Sequence, residues 1–254
     1  MGTAARSQSR AQNITGDVIF EELNGTHLKE ARLIASCTQQ EAARKLGVTQ
    51  AYLSMVERGN RPVSNELATR AVEVFEVPAT ALPVEERDTC FRDDSFFASA
   101  LGALGYQGFS HLRGGPKTNP ADLLMGALDR DNLDPRVTEG LPWLPVAYPE
   151  LDWDWLTKNA RLRDRQNRLA FVVALASQAA AKKGTTELAV ALAERVGKLE
   201  PSRLATEGTL CRESMTRAER KWLRTHRSPL AEHWNLLTDL TVDHLNHVQE
   251  HAVH

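Results

Sequence analysis

The sequence predicts an all-α protein in two parts, a small helical bundle followed by a larger helical domain. Three observations point there. Apolar residues recur at helical spacing through most of the chain, broken at glycines and prolines. Helix-start signatures, a Ser, Thr, Asp or Asn just ahead of such a segment, recur along it. The strict apolar–polar alternation of a half-buried strand is almost absent. With 254 residues, 42% apolar and 25% charged, the chain has room for ~1.7 domains of ~150 residues. Wholesale disorder, a collagen-like repeat and a disulfide scaffold are excluded.

Residues 1–24 are polar, small and aperiodic apart from Val18-Ile19-Phe20, and are expected to form a flexible arm. Residues 25–84 read as a bundle of four short helices. Its breaks fall at Ser36-Cys37, Gly47, Gly59 to Pro62 and Pro78. Residues 85–254 read as a helical interaction or effector domain, approached through the charged stretch Val84-Glu85-Glu86-Arg87-Asp88. Within it, Asn119-Pro120 is a cap followed by proline at the first helical position, introducing a helix over 121–130. The three prolines of 141–151 predict irregular structure. Residues 153–183 read as one long helix ended by Gly184. Further helices are expected over 186–199, 216–226, 229–240 and from 242 onward, with Ser228-Pro229 and Thr241 as start signals. No fixed period repeats, against a solenoid.

Charge and cysteine usage narrow the function. With 31 basic and 33 acidic residues the formal charge is −2, so the whole molecule has no tendency to coat nucleic acid or anionic membrane, and DNA binding requires a local patch. Cys37, Cys90 and Cys211 are odd in number and in no zinc spacing, which predicts a reducing compartment and no structural metal. The N-terminal residues lack a signal-peptide core, and the apolar run at 169–176 is too short to span a bilayer. A cytoplasmic protein without membrane contact is expected.

The informative segment runs from Thr38 to Gly59. Thr38 and Glu41 form a capping box, so a helix begins there and continues to Leu46. Gly47 supplies the left-handed residue that stops it, and Thr49 caps a second helix whose Leu53 and Val56 face inward with Ala42, Ala43 and Leu46. This is a helix-turn-helix. Its geometry leaves Gln50, Ala51, Tyr52 and Met55 outward: glutamine has the two hydrogen bonds that adenine offers in the major groove, and the others suit thymine methyls and sugar edges. Gln39, at a helix start, occupies a natural phosphate position. Between Arg44 and Arg61 lie four basic residues (Arg44, Lys45, Arg58, Arg61) and one acid, Glu57.

Over about 27–77 the sequence resembles the Cro/CI (XRE) family of helix-turn-helix regulators, in its TQxxxAxxLGV core, its YLSxVERG run and Arg61-Pro62 ahead of a Ser64-capped helix. The resemblance implies a lambda-repressor-like bundle in which Gln39 touches phosphate. Gln50, Ala51, Tyr52 and Met55 would face bases beside the cap Thr49, and Arg58, Asn60 and Arg61 would clamp the backbone. Ala42 and Cys37 stand where the family has bulkier apolar residues, a matter of packing.

No catalytic motif accompanies it: HExxH, GxSxG and GxxxxGK[ST] are absent, and neither a zinc peptidase nor a self-cleaving β domain is indicated. Gly114-Gly115-Pro116-Lys117-Thr118 lacks the glycine before lysine and reads as a surface turn. Asp152 or Asp154 is expected to cap a helix while Trp153 and Trp155 pack inward. Arg161, Arg165 and Arg168 share a helical face, read as solvated or as a grip for an acidic partner. His244, His247 and His251 have helical spacing for zinc or nickel, but no further ligand completes a closed site, so a solvated tail is expected and no metal or other cofactor is assigned. Trp143, Tyr148, Trp153, Trp155, Trp222 and Trp234 read as core residues or interface anchors. The C-terminal part resembles helical regions fused to such regulators in bacterial toxin–antitoxin operons. The expectation is a non-enzymatic regulator, a repressor. Its partners would be a palindromic double-stranded operator, a second copy of the chain and a cognate toxin. The alternatives are a ligand- or peptide-sensing regulator and an enzyme localised by its helix-turn-helix.

Overall fold

The computed structural model describes residues 23–77, 79–82 and 92–245. The arm expected over 1–22, the charged connector at 83–91, Cys90, and His247, His251 and His254 lie outside that range.

Four helices form the first core: α1 (Gly25–Ile34), α2 (Gln39–Leu46), α3 (Gln50–Glu57) and α4 (Asn65–Phe75). Each begins on a side chain that accepts orphan backbone N–H groups, namely Asn24, Thr38, Thr49 and Ser64. Gly47, at φ 68°, makes the left-handed turn between α2 and α3. Leu28, Ala42, Leu46, Leu53, Val56, Ala68 and Ala71 are fully buried together. Leu23, just ahead of the Asn24 cap, is buried in the same core as Leu28; these are the positions of a hydrophobic staple. The last two residues of the stretch read as an arm are therefore part of the bundle.

The second core is larger. Around it lie α5 (Asp94–Ala103), α6 (Pro120–Leu128), α7 (Pro135–Gly140), α8 (Trp143–Ala147), α9 (Trp153–Leu162), α10 (Gln166–Lys182), α11 (Thr186–Leu199), α12 (Arg217–His226) and α13 (Pro229–His233). Two two-residue strands, β1 (Gly208–Thr209) and β2 (Leu236–Leu237), pair in parallel. The protein is mostly helical with almost no strand among the described residues, as its sequence predicts. Helix α10 is buried on all sides from Gln166 to Ala176 and forms the axis on which α6, α8, α9 and α11 pack.

Several expected elements differ. The long helix over 153–183 is two helices, because Asp164 adopts φ 55° and Arg165 donates its N–H to the Ala160 carbonyl at 2.7 Å, closing α9 without a glycine. The helix over 229–240 stops at His233, where Asn235, at φ 52°, turns the chain into β2. The proline-rich 141–151 contains α8, since Pro145 falls in its first turn, where the missing N–H costs nothing. From 242 only a 3-10 turn, Val242–His244, is described.

The arginine stripe also differs. Arg168 is buried, donating to the carbonyls of Thr209, Leu128 and Arg130 at 2.7–2.8 Å and pairing with Glu213. Arg165 pairs with Asp129, and Arg161 donates to Ser202 Oγ and the Lys198 carbonyl. The break at Asp164 separates Arg161 from Arg165 and Arg168, and each ties elements together. Asp152 caps α9 by accepting the Trp155 N–H at 2.8 Å. Of the six expected core aromatics, Trp222 is 53% exposed.

Candidate nucleic-acid interface

The recognition helix is built from its ends inward. Thr49 Oγ1 accepts the Tyr52 N–H at 3.2 Å, fixing the first turn of α3. Gly59, at φ 76°, and Asn60 close the other end, with N–H groups donating to the Val56 and Met55 carbonyls at 2.9 Å. Leu53 and Val56 are fully buried, which rotates Gln50 and Ala51 into solvent and leaves Met55 38% exposed. Tyr52 is half-buried and packs against the bundle core, so its ring lies at the rim of the outward face. Arg58, Asn60 and Arg61 follow directly and are all exposed.

Helix α2 presents the second edge. The Thr38–Glu41 capping box is complete: Glu41 Oε2 accepts the Thr38 N–H at 2.8 Å, and Thr38 Oγ1 accepts the Glu41 N–H. The bonds that the Thr38 N–H and hydroxyl donate to the Glu41 carboxyl hold it below its usual range, with help from Arg44 and Lys45. Gln39 is half-buried. Its amide donates to Glu57 Oε2 at 3.0 Å rather than extending freely outward.

Glu57 is the residue that sequence reasoning misjudged. It is buried at 8% exposure, and Arg32 of α1 meets both of its oxygens, at 2.7 and 3.1 Å. Arg32 also donates to the Cys37 carbonyl. The one acid between Arg44 and Arg61 is therefore neutralised inside the bundle. The outward face keeps Arg44, Lys45, Arg58 and Arg61, all exposed, without it.

Residues 28–82 match the Helix-turn-helix family. The match covers less than half of the chain, and it supports a DNA-binding transcription regulator of the Cro/CI type. Neither a curated protein nor a solved structure matches the chain.

Two supports of this helix-turn-helix were not read from sequence. The Arg32–Glu57 pair spans 25 positions, and only the i, i+3 and i+4 spacings are visible along one helix. Arg70 of α4 donates to the Leu46 carbonyl at 3.0 Å, satisfying the end of α2, and pairs with Glu66. Among the described residues no helix is long and apolar enough to cross a membrane, and no three metal-binding side chains gather.

Proposed function

We propose that the chain is an operator-binding repressor that acts as a homodimer in the cytoplasm and whose helical body binds a partner protein, as an antitoxin binds its toxin. The observation that carries the DNA reading is the outward face of α3: Gln50, Ala51 and Met55 in solvent, flanked by exposed Arg58, Asn60 and Arg61, with Glu57, the one acid between Arg44 and Arg61, buried against Arg32. Gln50 reads a base edge; Arg58 and Arg61 grip phosphates; Gln39, held by Glu57, has a remaining amide hydrogen for a phosphate. A second copy is required because one short helix reads too few bases.

For the body, a protein partner is favoured over a small molecule. A hollow of the body lined by Leu133, Leu210 and Leu240 holds only about 80 Å³, and one between the bundle and the body, lined by Asn65, Thr69, Lys117 and Asn119, about 50 Å³, against ~300–1,000 Å³ for ligand pockets. The groove between α9 and α11 reaches about 640 Å³, within that range, but it lies open along the surface rather than enclosing a ligand, and Leu162 stands 72% exposed in it beside Asp154, Lys158, Arg161 and Lys198. We assign no catalytic residue and no cofactor.

The test is binding-site selection with Gln50→Ala. It should relax preference at one operator position, at a cost of about 1–3 kcal/mol. Unchanged base preferences would remove Gln50 from the reading. Arg58→Ala or Arg61→Ala should instead weaken all sequences alike and lower the salt slope by about one per lost contact.

A further inference from the structure

Helix α12 sits on the body through little besides Leu223, which shares a small apolar cluster with Met215 and Leu237. Three nearby carboxylates are each taken up by arginines: Glu207 by Arg224 and Arg227, Glu213 by Arg220 and Arg168, Glu219 by Arg212. Arg217 and Lys221 are exposed and have no ion pair among the described residues. Arg217 and Lys221 stand at i and i+4 and so share one face, next to the Arg224–Glu207 pair. Beside it lies Trp222, 53% exposed, with the His226 ring stacked on it at 4.3 Å between centroids and 4° between planes.

We propose that α12 is a second DNA-contacting surface, with Arg217 and Lys221 on phosphates flanking the operator and Trp222 against the sugar and base edges beside them. The proposal rests on the helix-turn-helix reading for the presence of DNA and goes beyond it in the site. Protein-interface cores are depleted in lysine and gather several apolar side chains around an anchor. Here a single exposed aromatic borders two uncompensated cations, Arg217 and Lys221, on a helix whose neighbouring carboxylates are already taken up by other arginines, the composition of a surface that meets a polyanion with bases.

The test uses the full chain carrying Arg58→Ala and Arg61→Ala, which removes the phosphate clamp of the bundle, and a mixed-sequence duplex of about 60 base pairs. Binding should persist. Adding Arg217→Ala and Lys221→Ala should weaken it and make the plot of log K against log salt shallower by about two. Trp222 fluorescence, isolated by subtracting the Trp222→Phe protein, should fall as duplex is added. Loss of all duplex binding with α12 intact, binding indifferent to the α12 substitutions, or a Trp222 response to poly-glutamate and not to duplex would each overturn the proposal. Sequence preference at Gln50, read in protein with α12 intact, judges the helix-turn-helix reading separately.

Discussion

Glu57 shows how one side chain serves packing and recognition together. Buried in α3, it answers both Arg32 and Gln39, so it fixes α1, α2 and α3 against one another and holds the amide of Gln39, the proposed phosphate ligand. Removing one partner of a buried pair leaves the other charge without compensation, and Glu57→Ala should lower bundle stability by about 3–5 kcal/mol in denaturant unfolding. Replacing both charges, as Arg32→Met with Glu57→Leu, should cost far less, because no lone charge is left in the core. Equal losses in the two proteins would mean that the packing rather than the ion pair matters. Gly25 makes a second residue-scale case. A Cβ there would lie 1.9 Å from the Val56 carbonyl oxygen, so Gly25→Ala must push α1 away from α3. A loss of about 1–3 kcal/mol is expected, and an unchanged melting curve would contradict that close approach.

At the scale of elements, helix caps link sequence, stability and pH. Glu41 of α2 and Glu219 of α12 close the same kind of box, and in each the first cause holding the carboxyl low is a bond from the cap residue's backbone, Thr38 or Thr216. A carboxyl lowered in the folded state is deprotonated there more readily than in the unfolded chain. Its contribution is therefore present above the unfolded value, near the ordinary 4.5, and is lost as pH falls through the folded value. Thr38→Ala should return the Glu41 carboxyl toward its ordinary value in an NMR pH titration and flatten the acid limb of stability. An unmoved Glu41 titration would show that the cap does not set it. The same caps explain what was legible from sequence. Asn119, Thr38, Thr49, Ser64, Thr216 and Ser228 mark helix starts by chemistry confined to a few residues, and those starts were read correctly. Helix ends made by Asp164 and Asn235 were not, because non-glycine residues enter the left-handed region only where surrounding contacts hold them. For the interface, exposure of Gln50, Ala51 and Met55 followed from helical phase, while Arg58, Asn60 and Arg61, past the end of α3, came from the family resemblance and are exposed as it implies. The burial of Glu57 and the partial burial of Tyr52 and Gln39 depended on which helices meet.

At the scale of the whole molecule, the two apolar cores share no residue. Among the described residues they meet where Asn119, at the start of α6, donates to the carbonyls of Thr80 and Leu82 at the end of the bundle and where Ala79 packs on the body. DNA reading and partner binding can then be separated by cutting between them. With one recognition helix per copy, the full chain should occupy a two-fold site with half-site centres about 34 Å or a multiple apart; footprinting of a single unrepeated half-site by a monomer would contradict this. A fragment from about residue 88 onward keeps the larger core and its axis α10 intact, and loses on the body side chiefly the acceptors of Asn119, whose amide then faces water. It should unfold cooperatively, fail to bind the operator, and still capture a stoichiometric protein from the native host. Dimerisation alone does not account for so large a body, since a standard interface occupies ~800 Å² per partner, and Leu162 and Val190 remain exposed on α9 and α11. If the fragment captured nothing and were instead stabilised against heat by a metabolite pool, the body would be a sensor and the groove at Leu162 would not be a protein-docking face.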